Sequence, residues 1–358
     1  MKVQIIRIRG LFLFIVACIF TVILVFLLRP LAFRFDLLDH PGGRRSHRTP
    51  AQLTGGLAIF LSLMFVVLID YPLLPTGLSN FIPAFFSILL IGLIDDCMEL
   101  RYSLAILLQF IVALFVIFLS HLGVDHLGSL FGLGDIHTSY LKVPFTLISI
   151  VGVVNAFNMI DGKDGLAGSL ALVSLGWFAL LGVLVNDYLV VFTSQILIAA
   201  LIGFLLFNLR TALHSNAQVF LGSAGSMTLG LLMAWLSIKL SGNLTSKVSP
   251  ITCVWIIGIP LMDMARVMLV RVKRELSPFA ADRTHLHHLL DDIGYSSGQV
   301  LFIIVSASVL MGGVGVLAWV MHVPDFVMFS FFIFLLAIYV FGLGPRMESA
   351  LDAIKLQS

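Results

Sequence analysis

The chain has 358 residues, of which 59% are hydrophobic and only 11% are charged. A soluble domain has about a quarter of its residues charged, so this composition excludes a water-soluble globule and predicts a polytopic membrane protein. The net charge of +2 is too small to indicate a partner. Because no long polar linker interrupts the apolar runs, we expect residues 1–358 to form a single integral membrane domain.

In chain order, the apolar runs predict about eleven membrane helices, since about 20 apolar residues cross the hydrocarbon core as a helix. They lie at 11–32, 55–72, 80–95, 104–122, 143–158, 166–186, 189–208, 224–241, 250–270, 300–321 and 324–344. With the amino terminus outside, one face holds 15 of the 21 Lys and Arg residues. The positive-inside rule makes that face cytoplasmic. The predicted fold is therefore an all-α membrane protein with cytoplasmic active-site loops.

Polar clusters accumulate on the predicted cytoplasmic face. They are "DHPGGRRSHRTP" at 39–50, "GLIDD" at 92–96, "NAFNMIDGKDGLAGS" at 155–169, "FLGSAGS" at 220–226, "PLMD" at 260–263 and "DRTHLHHLL" at 282–290. Each has a plainer interpretation. The arginines of the first cluster could only set the topology, Asp263 could be a polar packing group, and the three histidines could form a solvated helix face.

The cluster at 155–169 contains polar residues at every third position: Asn155, Asn158, Asp161 and Asp164. An α-helix would rotate them by about 60° per step, whereas a tightened turn would stack them on one side. Gly162 and Gly165, in the same stretch, allow the backbone to break there and expose amide N–H groups. We therefore expect this segment to present carboxylates and hydrogen-bond donors to a ligand near the membrane surface.

Basic residues, glycine-rich turns and several acids form a specific combination. Arginine, lysine and backbone N–H groups bind phosphate oxygens. Acids beside a polyanion indicate a divalent cation between them, and Mg²⁺ is bound by one or two carboxylates plus substrate phosphates and water. The chain has no Walker loop and no dinucleotide fingerprint, so a nucleotide would be held by these loops.

From about residue 36 to 295, these motifs resemble, in order, those of the polyprenyl-phosphate N-acetylhexosamine-1-phosphate transferases, and "HLHH" is similar to the bacterial N-acetylglucosamine branch. The resemblance implies a Mg²⁺-dependent reaction, with Mn²⁺ as an alternative ion. The phosphate of undecaprenyl phosphate would attack the β-phosphorus of a UDP-N-acetylhexosamine, most simply UDP-GlcNAc, and UMP would leave. It also implies a multi-pass protein of the bacterial inner membrane that starts a cell-surface polysaccharide such as O-antigen.

The resemblance also implies roles for individual residues. Asp95 and Asp96 would accept a proton from the lipid phosphate or orient it. Three groups complete the expected site: Asp161 and Asp164 with Asn155 and Asn158 at the uridine-diphosphate and metal region; Arg283, His285, His287 and His288 at the sugar and diphosphate; Arg44, Arg45 and His47 near the lipid phosphate. The metal ligands would be Asn158, Asp95 and the residue at position 223.

One residue departs from the family pattern. At position 223, where the family has an aspartate regarded as a principal Mg²⁺ ligand, this chain has serine. A neutral oxygen binds Mg²⁺ less strongly than a carboxylate, so we expect impaired turnover. Ser223 also leaves open a non-catalytic binding protein on the same fold. A proton- or cation-coupled transporter is a third alternative, although transporters place ionisable residues near the bilayer midplane. No nucleic-acid partner is expected; membrane lipid and a second copy of the chain are the other candidate partners.

Overall fold

The computed structural model describes residues 2–39, 51–70, 77–210, 216–278 and 284–345, with the backbone alone for residues 2–8. Nearly all of this chain is helical. The helices are α1 (Lys2–Arg34), α2 (Gly55–Ile69), α3 (Ile82–Met98), α4 (Tyr102–Ser120), α5 (Lys142–Ile160), α6 (Leu166–Val185), α7 (Tyr188–Asn208), α8 (Gly222–Ser241), α9 (Pro250–Ile256), α10 (Gly258–Lys273), α11 (Leu286–Asp292), α12 (Ser297–Val320) and α13 (Asp325–Ala337). A 3₁₀ turn (Ser139–Leu141) precedes α5, and a π-helical turn (Ile338–Leu343) follows α13. Two short antiparallel strands, β1 (Leu38–Asp39) and β2 (Ala51–Gln52), pair Leu38 with Gln52.

Within the described chain, eight helices are long and apolar enough to cross a membrane, and the pair α9 and α10 makes a ninth if it is counted as one span. The prediction of an all-α polytopic membrane protein is thus confirmed. The count of eleven is not, because α2 and α3 have only 15 and 17 residues. That is short of the roughly 20 that span the hydrocarbon core. That residues 1–358 form one domain stays a prediction.

The ninth predicted span, 250–270, is not one straight helix. The axes of α9 and α10 differ by 80°, and the break between them falls at Ile257. Pro260, in the first turn of α10, has no N–H to donate to the carbonyl of Ile256, so an unbroken helix would lose that bond. The break directs α10 toward the segments that carry the polar motifs.

Helix α8 forms the centre of the bundle, with nearly all of its residues buried. Small residues bring its neighbours close at its first turn. A Cβ on Gly56 of α2 would lie 2.3 Å from the Cα of Gly225, and one on Gly92 of α3 would lie 2.3 Å from the Cα of Ala224. Such close backbone approach is typical of helices packed in membranes. It places the ends of α2 and α3 beside the amino terminus of α8.

The outer helices expose large apolar side chains that suit a lipid environment. Examples are Leu11 on α1, Phe118 on α4 and Phe302 on α12, each more than half exposed. The bundle has two ends. We call the end where α3, α5 and α7 finish and α6 and α8 begin the site end, and the end where α5 and α7 begin the far end.

Candidate active site

A cavity of about 350 Å³ opens at the site end. Six of the predicted site residues line it, namely Asp95, Asn155, Asn158, His285, His287 and His288. They come from three motifs that are far apart in the sequence, and α3, α5 and α11 bring them together. Leu100, Ala105 and Ile106 line the same cavity. The cavity can therefore take a ligand that has both polar and apolar parts.

The two adjacent acids at the end of α3 have different surroundings. Asp96 accepts hydrogen bonds from the backbone N–H groups of Ser223, at 2.7 Å, and Ala224, at 3.1 Å. These N–H groups belong to the first turn of α8, where donors lack helical partners and the helix dipole favours negative charge. Asp95 lines the cavity and, among the described residues, accepts one hydrogen bond, from the N–H of Leu100 at 3.1 Å. Asp96 thus fixes α8, and Asp95 is the carboxylate available to a ligand.

Ser223 lies on this contact. Its hydroxyl is beside the Asp96 carboxylate that its own N–H binds. The preceding Gly222 has a φ of +72°, and a Cβ there would lie 2.6 Å from an Asp96 oxygen. The tight turn therefore depends on glycine at 222, and it holds position 223 against Asp96. Ser223 contributes no charge where the family pattern has a carboxylate.

The polar residues at every third position point to different neighbouring segments. The helix α5 stays α-helical to Ile160, so the stacked arrangement does not form. Asn155 donates to the side-chain oxygen of Gln109 on α4 at 2.6 Å, and Asn158 donates to the hydroxyl of Ser226 on α8 at 3.1 Å. Asp164 forms an ion pair with Arg210 at 2.6 Å. These contacts connect the end of α5 and the turn after it to α4, α8 and the segment after α7.

The helix breaks after Ile160 as predicted, but the N–H groups of both glycines in the turn form hydrogen bonds within the protein. The N–H of Gly162 donates to the carbonyl of Ile160 at 2.8 Å. Gly165 has a φ of +76°, and its N–H donates to the side-chain oxygen of Asn208 at 2.8 Å. The N–H groups of these two glycines are therefore not free. The reason is that α7 ends beside the turn and supplies an acceptor.

Asp161, at the end of α5, is half-buried, and within the described residues it has no hydrogen bond or ion pair. Burial and then the neighbouring carboxylates of Asp96 and Asp164 raise the pKa of Asp161 to about 8. Burial is the larger cause, and repulsion between the neighbouring carboxylates adds to it, because each acid disfavours ionisation of the next. A cation bound among these groups would relieve that repulsion.

The oxygen atoms of the side chains at the site end are of the type that binds a divalent cation. Among the described residues, no group of three His, Cys, Asp or Glu side chains is spaced to hold a metal by itself. Mg²⁺ does not require one, since it binds one or two carboxylates together with substrate phosphates and water. Asp95 and Asn158 line the cavity, and Asp161 is the residue that directly follows the end of α5. These are oxygen donors of the type that Mg²⁺ prefers.

The three histidines lie at the start of α11. His285 and His287 are buried, with 6% and 1% exposure, so a solvated helix face is excluded for them. The ring of His287 lies against Gly162, where a Cβ would be 2.4 Å from Nε2. Neither ring nitrogen of His287 has a hydrogen-bond partner among the residues that the structure describes. Burial, and then the neighbouring His288, lower the pKa of His287 to about 3, so its ring is neutral near pH 7.

Several residues that line or support the cavity were not among the predicted ones, and three of them are polar. Gln109 is the partner of Asn155, Arg271 lines the cavity, and the hydroxyl of Tyr339 donates to Asp263 at 2.9 Å. Gln109 could have been found as a lone amide in the apolar run "SLAILLQFIVAL". Arg271 gave no signal beyond a basic loop, and nothing local points to Tyr339. Four predicted residues, Arg44, Arg45, His47 and Arg283, lie outside the described residues.

Comparison with known proteins gives a consistent set of relatives. The sequence model of glycosyl transferase family 4 matches residues 78–241. The undecaprenyl-phosphate alpha-N-acetylglucosaminyl 1-phosphate transferase of Salmonella typhi is 33% identical over 329 residues, covering 90% of this chain and 88% of that protein. The protein of the same name from Escherichia coli (strain K12) is 32% identical with the same coverage. That of Pasteurella multocida (strain Pm70) is 31% identical over 318 residues, covering 88% of each chain.

Proposed function

Because the chain belongs to glycosyl transferase family 4, with the undecaprenyl-phosphate alpha-N-acetylglucosaminyl 1-phosphate transferases, we propose that it transfers N-acetylglucosamine 1-phosphate from UDP-GlcNAc to undecaprenyl phosphate. A phosphate oxygen of the lipid attacks the β-phosphorus of the nucleotide sugar. The bond from that phosphorus to the bridging oxygen breaks, and UMP leaves with the electron pair. The observation that supports this most is the cavity in which an acid, two amides and three imidazoles converge.

In this proposal Asp95 is the residue that contacts the lipid phosphate. It lines the cavity, and in the part of the chain that the structure describes a single N–H group donates to its carboxylate. It can therefore accept a proton from the phosphate or orient it for attack. Asp96, held by the first turn of α8, is a positioning residue for Asp95. This division assigns different tasks to two acids that are identical in the sequence.

The basic side chains of the cavity suit the nucleotide sugar. Arg271 and the three histidines line the cavity, and a guanidinium binds phosphate oxygens with charge-assisted hydrogen bonds. Asn155 and Asn158 would face the uridine-diphosphate part. Asp95 and Asn158, with Asp161 at the end of α5, would hold Mg²⁺, which would supply positive charge to screen the repulsion between the phosphates. Arg44, Arg45, His47 and Arg283 keep their proposed roles at the lipid phosphate and the diphosphate.

The proposed location is the bacterial inner membrane, with the site end facing the cytoplasm. The multi-pass helical fold and the basic residues of the loops at that end support this orientation. UDP-sugars are made in the cytoplasm, which agrees with a cavity on that side. The product would be the first lipid-linked intermediate of a cell-surface polysaccharide, with O-antigen as one candidate, and a homodimer is the candidate assembly.

The test is an assay of the purified chain in lipid nanodiscs with undecaprenyl phosphate and several UDP-sugars, measuring UMP release with and without Mg²⁺. We expect slow, Mg²⁺-dependent release with UDP-GlcNAc. Ser223→Asp should raise the rate by about tenfold or more, because a carboxylate restores a charged metal ligand. Ser223→Asn, which is of similar size but neutral, is the matched control. A Ser223→Asp rate equal to that of the parent would contradict the role given to position 223.

A second candidate function, a non-catalytic binding protein, is favoured by Ser223 alone. It predicts that UDP-GlcNAc binds, as measured by calorimetry, while neither the parent chain nor Ser223→Asp releases UMP. A cation-coupled transporter has less support, because the acids Asp95, Asp161 and Asp164 lie at one end of the bundle rather than halfway along the helices. Transport of cations without UMP release in sealed vesicles would favour it.

A further inference from the structure

A buried hydrogen-bond network lies beside the cavity, outside the range matched by the family model. The carboxylate of Asp263, on α10, lies 2.7 Å from Nδ1 of His285. Its other oxygen accepts the N–H of Leu286 at 2.9 Å and the hydroxyl of Tyr339 at 2.9 Å. Asp263, His285 and Tyr339 are only 2%, 6% and 8% exposed. The network therefore joins α10, the start of α11 and the last helix.

The network is complete for the carboxylate. A buried carboxylate is costly unless hydrogen bonds satisfy its oxygens, and here three donors do so. Tyr339 lies in the π-helical turn Ile338–Leu343, a rare local structure that often occurs at functional sites. The guanidinium of Arg266 packs over its ring, with Cζ 5.4 Å from the ring centroid. Removing only the hydroxyl of Tyr339 would therefore keep the packing of its ring and lose the hydroxyl's contacts to Asp263 and Arg266.

The geometry fixes which nitrogen of His285 faces the cavity. An ionised carboxylate only accepts hydrogen bonds, so Nδ1 of His285 carries the proton between them. The same residue lines the cavity, and Nε2 is the ring nitrogen left for a ligand there. A second group that holds a histidine by one nitrogen fixes both its tautomer and its ring orientation.

We propose that Asp263 and Tyr339 are positioning residues that hold His285 with Nδ1 protonated and Nε2 directed to the nucleotide-sugar donor. The proposal rests on the proposed function. Tyr339 acts on Asp263, Asp263 acts on His285, and only His285 contacts the ligand. The last helix thereby contributes to donor binding, although none of its residues lines the cavity.

The kinetic test compares Tyr339→Phe with Tyr140→Phe, a control at a residue that is 99% exposed. Tyr339→Phe should raise KM for UDP-GlcNAc by about three- to tenfold, the effect of one hydrogen bond. Its KM for undecaprenyl phosphate should not change. Asp263→Asn should raise KM for UDP-GlcNAc by about 10- to 100-fold, as for other residues that orient a histidine. A role in stability alone would lower Tm and leave both KM values unchanged, which would overturn the proposal.

The second measurement does not depend on turnover. Solid-state ¹⁵N NMR of histidine-labelled protein in liposomes at pH 8, with His285 assigned by its loss in His285→Gln, should show a protonated Nδ1. In Asp263→Asn the amide can keep both contacts to its oxygen and turn its NH₂ to the ring, so the proton should move to Nε2. A parent chain with the proton on Nε2 overturns the proposal. If no UDP-sugar is turned over, calorimetric Kd for UDP-GlcNAc replaces KM, so failure of the proposed function is distinguishable from failure of the positioning role.

Discussion

The two ends of the bundle use charge in different ways. At the far end, three acids are paired with bases: Arg9 binds Asp70, Lys142 binds Asp125 and Lys239 lies 3.5 Å from Asp187. At the site end, two ion pairs lie around the cavity, Arg210 with Asp164 and Lys163 with Asp291. Asp95 and Asp161, in contrast, have no basic partner within the described chain.

This difference separates charges that hold the fold from charges that await a ligand. A paired charge at a helix end stabilises the fold by a modest amount and needs nothing further. An unpaired carboxylate in a half-buried position raises the free energy of the folded state until a proton or a cation compensates it. The far-end pairs are therefore complete in the protein alone, whereas Asp95 and Asp161 at the site end would be compensated by the cation of the proposed function.

The largest expected effect is on turnover at the site end. Asp95→Asn keeps the shape of the side chain but removes its charge and its basicity. We expect UMP release to fall by about 10²- to 10⁴-fold, the usual contribution of a group that transfers or accepts a proton. Asp135→Asn, at an exposed position between α4 and α5 near the far end, is the control and should retain the parent rate. Equal losses in both variants would mean that the difference between the ends is not functional.

The next effect concerns stability, and its sign should differ between the ends. Asp70→Asn leaves Arg9 without its carboxylate, so we expect a loss of about 1–3 kcal/mol in the free energy of unfolding. Asp161→Asn removes an acid with no basic partner, so we expect Tm of the ligand-free protein at pH 8.5 to rise. Thermal unfolding in nanodiscs, followed by tryptophan fluorescence, measures both.

The pH dependence of Tm tests whether the charge of Asp161 destabilises the folded protein. The pKa of Asp161 in the folded state, about 8, lies above the ordinary value, so the folded state holds this proton more tightly than the unfolded one. Its contribution to stability is therefore full at low pH and is lost as pH rises through 8. Tm of the ligand-free parent should fall between pH 6.5 and 8.5, and Asp161→Asn should remove that part of the fall. An equal fall in parent and variant would show that Asp161 does not titrate in this range and is compensated within the protein.

Local patterns in the sequence predicted most of the fold. Each of the eleven apolar runs corresponds to a helix or, at 250–270, to the bent pair, because apolarity over about 20 residues is a local signal. The motifs also indicated which residues would meet, and Asp95, Asn158 and His287 do line one cavity. Their grouping on one side followed from the odd and even order of the spans.

The rest depended on contacts that no local pattern contains. Nothing near Asp96 indicates that it binds the first turn of α8, 127 residues later. Tyr339 looks like one aromatic among many in an apolar helix, and its partner Asp263 is 76 residues away. The N–H group of Gly165, after α5, is not free for the same reason, because it donates to the side chain of Asn208 on another helix. Tertiary partners decide the role of a polar group.

The smallest expected effect separates two ion pairs of similar chemistry. Lys163, in the turn after α5, binds Asp291 at the end of α11, and Lys142 binds Asp125 at the far end. Either Lys→Met change should cost about 1 kcal/mol or less in stability, as for other partly exposed pairs. Only Lys163→Met should also raise KM for UDP-GlcNAc, by about two- to fivefold. The reason is that the pair holds α11, and with it His287 against Gly162, on the turn that follows Asn158. If Lys142→Met raises KM equally, the effect travels through the whole bundle and the site-end pair has no special function. If neither variant changes KM, packing of His287 on Gly162 alone is enough to hold α11 at the cavity.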